Sequence, residues 1–233
     1  MKKRLLSCIV CICMVLCSLN AVVFAKDSET IVILYENDVH CAVEGYSKLA
    51  AMKNELKSEY EYVGVVSSGD FVQGGTLGAV SKGEYIVELM NLVGYDAIAL
   101  GNHEFDFGLE SLKAMAEVAD FPILDANVIS KETGSPYLDD NEIFCFDDMK
   151  VGVFGLDTPE TQTKSSPKNV KDVTFLDGAE LYACAQAQVD FLAFHLISFF
   201  MTTWVTRCCQ NIQRKTTIEL VEMTLTCSIC YED

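Results

Sequence analysis

Gly101-Asn102-His103-Glu104-Phe105-Asp106 is the stretch on which the reading of this chain turns. It leaves the short apolar run Ala97 to Leu100, which has the pattern of a buried strand. Two upstream segments repeat the arrangement. Asn37-Asp38-Val39-His40 follows the run Ile31 to Tyr35, and Gly69-Asp70-Phe71-Val72-Gln73-Gly74 follows Tyr62 to Ser67. One such segment alone is an ordinary turn, because Asp, Asn and Gly dominate turns. Three in succession, within about 70 residues, set Asp, His and Asn at the exits of successive strands. In open α/β sheets those exits are where ligands bind.

Between the strands the spacing becomes helical. Leu49, Met52 and Leu56 mark a helix over Tyr46 to Tyr60, with Lys and Glu on its other faces. A second helix runs from Glu84 to Leu92 and stops at Gly94; a third covers Leu109 to Val118. A fourth strand, Phe121 to Leu124, is entered through Pro122. Strand and helix in alternation imply an α/β fold with a largely parallel sheet. Beyond Asn127 the rhythm changes. Ile143 to Phe146 and Lys150 to Gly155 flank Asp147-Asp148 as an antiparallel hairpin, Ser165 to Asp172 is a polar loop, and Gly178 to Leu192 is again helical.

Both ends of the chain differ from this body. Lys2, Lys3 and Arg4 precede an apolar run from Leu5 to Val23, and Val23-Phe24-Ala25 offers small residues at a cleavage site. Residues 1–25 are therefore expected to be a signal peptide, with an uncleaved anchor as the alternative because the run approaches spanning length. The expected location is exported: extracellular, cell wall or periplasmic. Removing three positive charges takes the net charge from −17 to −20. A surface that acidic argues against nucleic acid as a partner. At the other end, all 14 glycines lie at or before Gly178 and all four prolines at or before Pro167. An α/β chain that turned every ten to fifteen residues should not stop turning. Residues 193–233 are accordingly expected to be foreign to the fold of residues 30–192, as a frameshift or a misjoined gene model would make them; a natural hydrophobic tail is the alternative.

The eleven cysteines do not form a disulfide framework. Cys8, Cys11, Cys13 and Cys17 belong to the signal, Cys41, Cys145 and Cys184 are scattered, and the rest crowd the tail. Cys227-Ser228-Ile229-Cys230 has CxxC spacing without a second pair that would complete a zinc site.

Asp38 and His40 can reach one ion once the chain turns, and a carboxylate with an imidazole suits zinc, manganese, iron or cobalt better than calcium. The two oxygens of Asp70 can bridge two ions about 3.5 to 4 Å apart. Asn102 offers a neutral oxygen to the second. His103 and Asp106, three apart in one turn, can hydrogen-bond and so settle the imidazole tautomer. Each of these residues also has a plain structural reading as a turn or loop residue; their convergence on one sheet favours metal.

The three segments together resemble the calcineurin-like metallophosphoesterases, and among them the bacterial secreted 5′-nucleotidases, over about residues 30 to 192. The resemblance implies an αββα sandwich, incomplete here at its C-terminal end, and two divalent metal ions. It implies Asp38 and His40 on the first ion, Asp70 as the bridge, Asn102 on the second, and His103 with Asp106 as the catalytic pair. The implied substrates are nucleotides or other phosphate esters, cleaved to nucleoside and phosphate.

Relatives of this kind complete the metal site with later histidines, in Gly-His and Gly-His-x-His elements, and add a C-terminal domain whose aromatic residues clamp the nucleobase. Neither is legible here. This chain has only three histidines, and His195 lacks a neighbouring glycine. Cys41 stands where many relatives have Gly. The chain is expected to be a truncated, impaired enzyme. The other reading kept open is a non-catalytic exported α/β protein whose hydrophobic tail docks a partner or membrane.

Overall fold

The structure is a computed structural model that describes residues 27–146, 149–195, 197–202 and 217–222. The expected signal peptide, most of the tail and the Cys227–Cys230 pair lie outside the described residues. The elements are β1 (Asp27–Glu36), α1 (Glu44–Glu59), β2 (Tyr60–Ser67), α2 (Thr76–Ser81), α3 (Glu84–Val93) and β3 (Ala97–Ala99). A 3-10 turn (Asn102–Phe105), α4 (Leu109–Val118), β4 (Ile123–Leu124), β5 (Val128–Ser130), β6 (Asn141–Phe146) and β7 (Met149–Leu156) follow. The chain continues through α5 (Thr161–Lys164), β8 (Val173–Phe175), α6 (Gly178–His195), β9 (Ile197–Thr202) and β10 (Thr217–Glu222).

Continuous apolar runs make β1, β2 and β3 strands that can be buried on both faces, and they form a parallel sheet in the order β10-β1-β2-β3-β4. Leu34 stands opposite Val65, Val66 opposite Ala97, and Ile98 opposite Ile123. The side chains alternate between two layers. Val32, Leu34, Val63 and Val65 pack with Leu49, Ile86, Met90, Leu112 and Met115 of the helices. Ile31, Ile33, Tyr62, Val66, Ala97 and Ala99 face Val151 and Val153 of β7 in a second sheet, β6-β7-β9. Leu181, Cys184, Ala185 and Leu192 of α6 pack against Phe154 and Leu156. Helices, two sheets and a further helix are the layers of an αββα sandwich, as expected.

Three features were not anticipated. The six-residue α2 carries Gly78, which hides its helical character. β5 and β8 form a separate antiparallel ribbon in which Val128 faces Phe175, so the polar loop ends at Asp172 as expected but leads into a strand at Val173. Within the tail, β9 pairs in parallel with β7, and β10 in parallel with β1. No helix among the described residues is long and apolar enough to cross a membrane. Among the described residues, Cys41, Cys145 and Cys184 form no disulfide.

Candidate metal centre

Because β1, β2 and β3 are neighbours in register, the three loops leaving them meet at one edge of the sheet. Backbone bonds lace the first two together: the amides of Asp38, His40 and Cys41 donate to the carbonyls of Gly69, Asp70 and Phe71 at 3.1, 2.9 and 3.1 Å. Asp38, His40, Cys41 and Asp70 all have left-handed backbone, with φ of 55°, 47°, 62° and 60°. Side-chain-bearing residues rarely adopt that conformation outside functional sites. Close approach also dictates glycine. A Cβ on Gly69, itself at φ +97°, would stand 2.2 Å from the Gly101 amide nitrogen, and one on Gly101 would stand 2.3 Å from Asp70 Oδ1.

Glu104 ties the second loop to the third. Its carboxylate is fully buried, with Oε2 accepting the amides of Asp70 (2.8 Å) and Gly101 (2.7 Å) and Oε1 that of Phe71 (2.9 Å). Burial, reinforced by the charge of Asp70, pushes the Glu104 carboxyl up to about 8, against the pull of those amides. The sequence reading included Glu104 in its motif and assigned it no task.

Asp38, His40, Asp70, Asn102 and His103 line one cavity of about 300 Å³, together with Thr158 and Lys164. All four expected ligands and the expected catalytic His thus come together, and Asp106 joins them through His103. One donor atom from each of His40, Asp70 and His103 lies within 4.8 Å of the others. Asp38 Oδ1 is 3.7 Å from His40 Nε2, and the two rings of His40 and His103 meet edge-on with centroids 5.0 Å apart. His103 Nδ1 lies 2.7 Å from Asp106 Oδ2, and His40 Nδ1 lies 3.2 Å from Gln73 Oε1. With Nδ1 of each ring engaged by these acceptors, Nε2 is the nitrogen left for other partners. Asp70 Oδ1 accepts the His103 amide at 2.9 Å.

The electrostatics match a site built for positive charge. Burial raises the Asp70 carboxyl, whereas the hydrogen bond from His40 lowers that of Asp38 and raises the imidazole of His40. Two carboxylates, two imidazoles and an amide oxygen in one small cavity are a donor set that suits divalent ions of the zinc or manganese kind. Cys41 is not among the grouped donors; its thiol donates to the Val72 carbonyl at 3.0 Å and packs under Gly75 and Gly78.

Thr158 and Lys164 escaped the sequence reading. Thr158 leaves the end of β7 as Asp38 leaves β1, so the same strand-exit signal was there to find. The segment bearing Lys164 is pinned to the 3-10 turn: Ser165 Oγ donates to the Asn102 carbonyl at 3.0 Å, and Asn169 Nδ2 to the Asp106 carbonyl at 2.7 Å. The side chain of His195 lies outside the described residues.

Residues 31–205 match the family model for calcineurin-like phosphoesterases. Among curated relatives, the snake venom 5′-nucleotidase of Gloydius brevicauda is 36% identical over 164 residues, 61% of this chain and 28% of its own length. Protein UshA of Escherichia coli K12 is 34% identical over 177 residues, 71% of this chain and 32% of its own. Haemophilus influenzae NAD nucleotidase superposes with a TM-score of 0.62 at 30% identity, covering 73% of this chain and 33% of that one. The chain thus spans about a third or less of each of these three proteins. With three strand-exit loops meeting around one cavity, the first two of them in left-handed backbone, and a family match over most of its length, the chain belongs to the calcineurin-like phosphoesterases.

Proposed function

We propose that this protein is an exported, metal-dependent phosphoric ester hydrolase of 5′-nucleotidase type, acting on nucleotides or related phosphate monoesters. The observation that carries the reading is the convergence of His40, Asp70 and His103 donor atoms within 4.8 Å, in a cavity that Asp38 and Asn102 also line. Asp38 and His40 would hold one divalent ion, Asp70 would bridge to a second, and Asn102 would hold that second ion. Such ions supply, when bound, an acidified water and a sink for charge on the phosphoryl oxygens. His103, its ring held by Asp106, would hydrogen-bond the phosphoryl group or give a proton to the leaving oxygen. Gln73 orients His40, and Glu104 fixes the spacing of the Asp70 and Gly101 loops.

The likeness to nucleotidases supports the substrate class, and the N-terminal apolar run supports export. We further propose that the tail beyond the family match, which ends at residue 205, is foreign to the family and that the site is short of imidazole ligands for its second ion, so turnover by these 233 residues is poor. Phosphate release from a nucleoside monophosphate in the presence of manganese tests both statements. Slow release that vanishes in His103→Ala is expected. Brisk release would contradict the impairment. Absence of release together with absence of manganese binding would contradict the enzyme and favour a non-catalytic exported protein.

A further inference from the structure

We propose that Lys164 is an anion-binding residue of this site: it takes up the dianionic phosphoryl group by exchanging its ion pair with Glu160 for one with the phosphate. The inference rests on the phosphoesterase reading and goes on to name a residue for substrate charge.

The cavity is a difficult place for an anion. Asp38 and Asp70 line it, and the chain as a whole carries −17. Among the described lining residues, Lys164 alone bears a permanent positive charge. Its side chain is about half exposed while still bordering the cavity.

The tether is pinned and the tip is only loosely held. Lys164 is the last residue of α5, and the next residue, Ser165, is buried and bonded to the carbonyl of Asn102. Asn169 holds the far side of the same segment to the carbonyl of Asp106. The backbone of Lys164 is therefore fixed against the turn that carries Asn102, His103 and Asp106. Among the described residues, the ion pair of the ammonium is with Glu160 Oε2, at 2.9 Å one helical turn back, in a pair exposed on both sides. Exposed pairs of this kind hold weakly and exchange partners readily. A phosphate dianion with its several acceptor oxygens is a stronger partner than one exposed carboxylate. Glu160 would thus park the lysine at the rim until the anion arrives.

Calorimetric titration of inorganic phosphate into the manganese-loaded 233-residue protein tests this, with manganese affinity measured in parallel on each variant. Lys164→Gln is expected to raise the phosphate Kd about tenfold while manganese affinity stays within about twofold of the parent. Lys164→Arg should restore phosphate binding, and Glu160→Gln should tighten it about twofold. A phosphate Kd unchanged in Lys164→Gln would overturn the inference, as would a loss that manganese affinity shares. A parent that takes manganese and ignores phosphate would count against the phosphoesterase reading itself.

Discussion

Glu104 Oε2 accepts the amides of both Asp70 and Gly101, so one buried carboxylate sets the distance between the bridging-ligand loop and the loop that carries Asn102 and His103. Three of the backbone donors around it would face an amide –NH₂ or a single remaining oxygen in Glu104→Gln. The cost of buried donors left unmatched is about 1–3 kcal/mol. We expect the substitution to lower the unfolding midpoint and to weaken manganese binding about tenfold, because residues that orient ligands commonly act on affinity at that scale. Thermal unfolding and metal titration of the same preparation check both. Unchanged values for both would show that the loops hold their spacing without it.

Gly69 sits against Gly101 so closely that no side chain fits between them. Gly69→Ala combines a left-handed backbone with a Cβ 2.2 Å from the Gly101 nitrogen and 2.6 Å from the Leu100 carbonyl carbon. Neither neighbour is a side-chain tip that can swing away. A loss of about 3 kcal/mol or more is expected, against about 1 kcal/mol for Gly134→Ala, which has positive φ and open space around it. Denaturant midpoints of the two variants separate contact from backbone strain; equal losses would contradict the close packing.

Asp125 and Asp157 are buried together around Asn127, and among the described residues one oxygen of each carboxylate has no hydrogen-bond partner. Burial pushes Asp125 up to about 7 and Asp157 well above its usual range, the latter also through the charge of Asp125. A folded-state value above the unfolded one means that the folded protein holds the extra proton. Stability from this group is therefore complete below about pH 4 and is lost as pH rises toward about 7. Asp125→Asn keeps the acceptor for the amides of Asn127 and Val128 and removes the ionisation. It should match the parent near pH 4 and exceed it near pH 8 by on the order of 2 kcal/mol. A constant difference across that range would refute the buried pair as the source of the pH dependence.

The part of the site that was legible in the sequence is the part built from strand exits. Asp38, Asp70 and Asn102 hang directly on β1, β2 and β3, so local pattern and parallel topology suffice to bring them together. Lys164 was not legible. It reaches the cavity through Ser165 and Asn169, whose bonds to residues about 60 positions earlier leave no mark on local periodicity. Thr158 was legible in principle, yet the strand before it was read only as half of a hairpin. The missed ribbon has the same cause: three-residue strands such as β5 and β8 are too short to show alternation.

Gln73 supplies a smaller test of the same logic. Its Oε1 faces His40 Nδ1 at 3.2 Å, and with that acceptor gone the ring loses its preferred tautomer. Gln73→Ala is expected to weaken manganese binding several-fold, with Gln73→Glu retaining it. Tighter binding in the alanine variant would mean that Gln73 holds His40 away from the metal.

The central claim is that Asp38, His40, Asp70 and Asn102 jointly bind divalent cations, with Asp70 shared between two. Manganese binding followed by electron paramagnetic resonance, on the parent and on Asp70→Asn, addresses it most directly. Saturable binding by the parent, weakened by about 100-fold in Asp70→Asn, is the predicted result. Equal manganese affinity in the two proteins, or none in either, would contradict it.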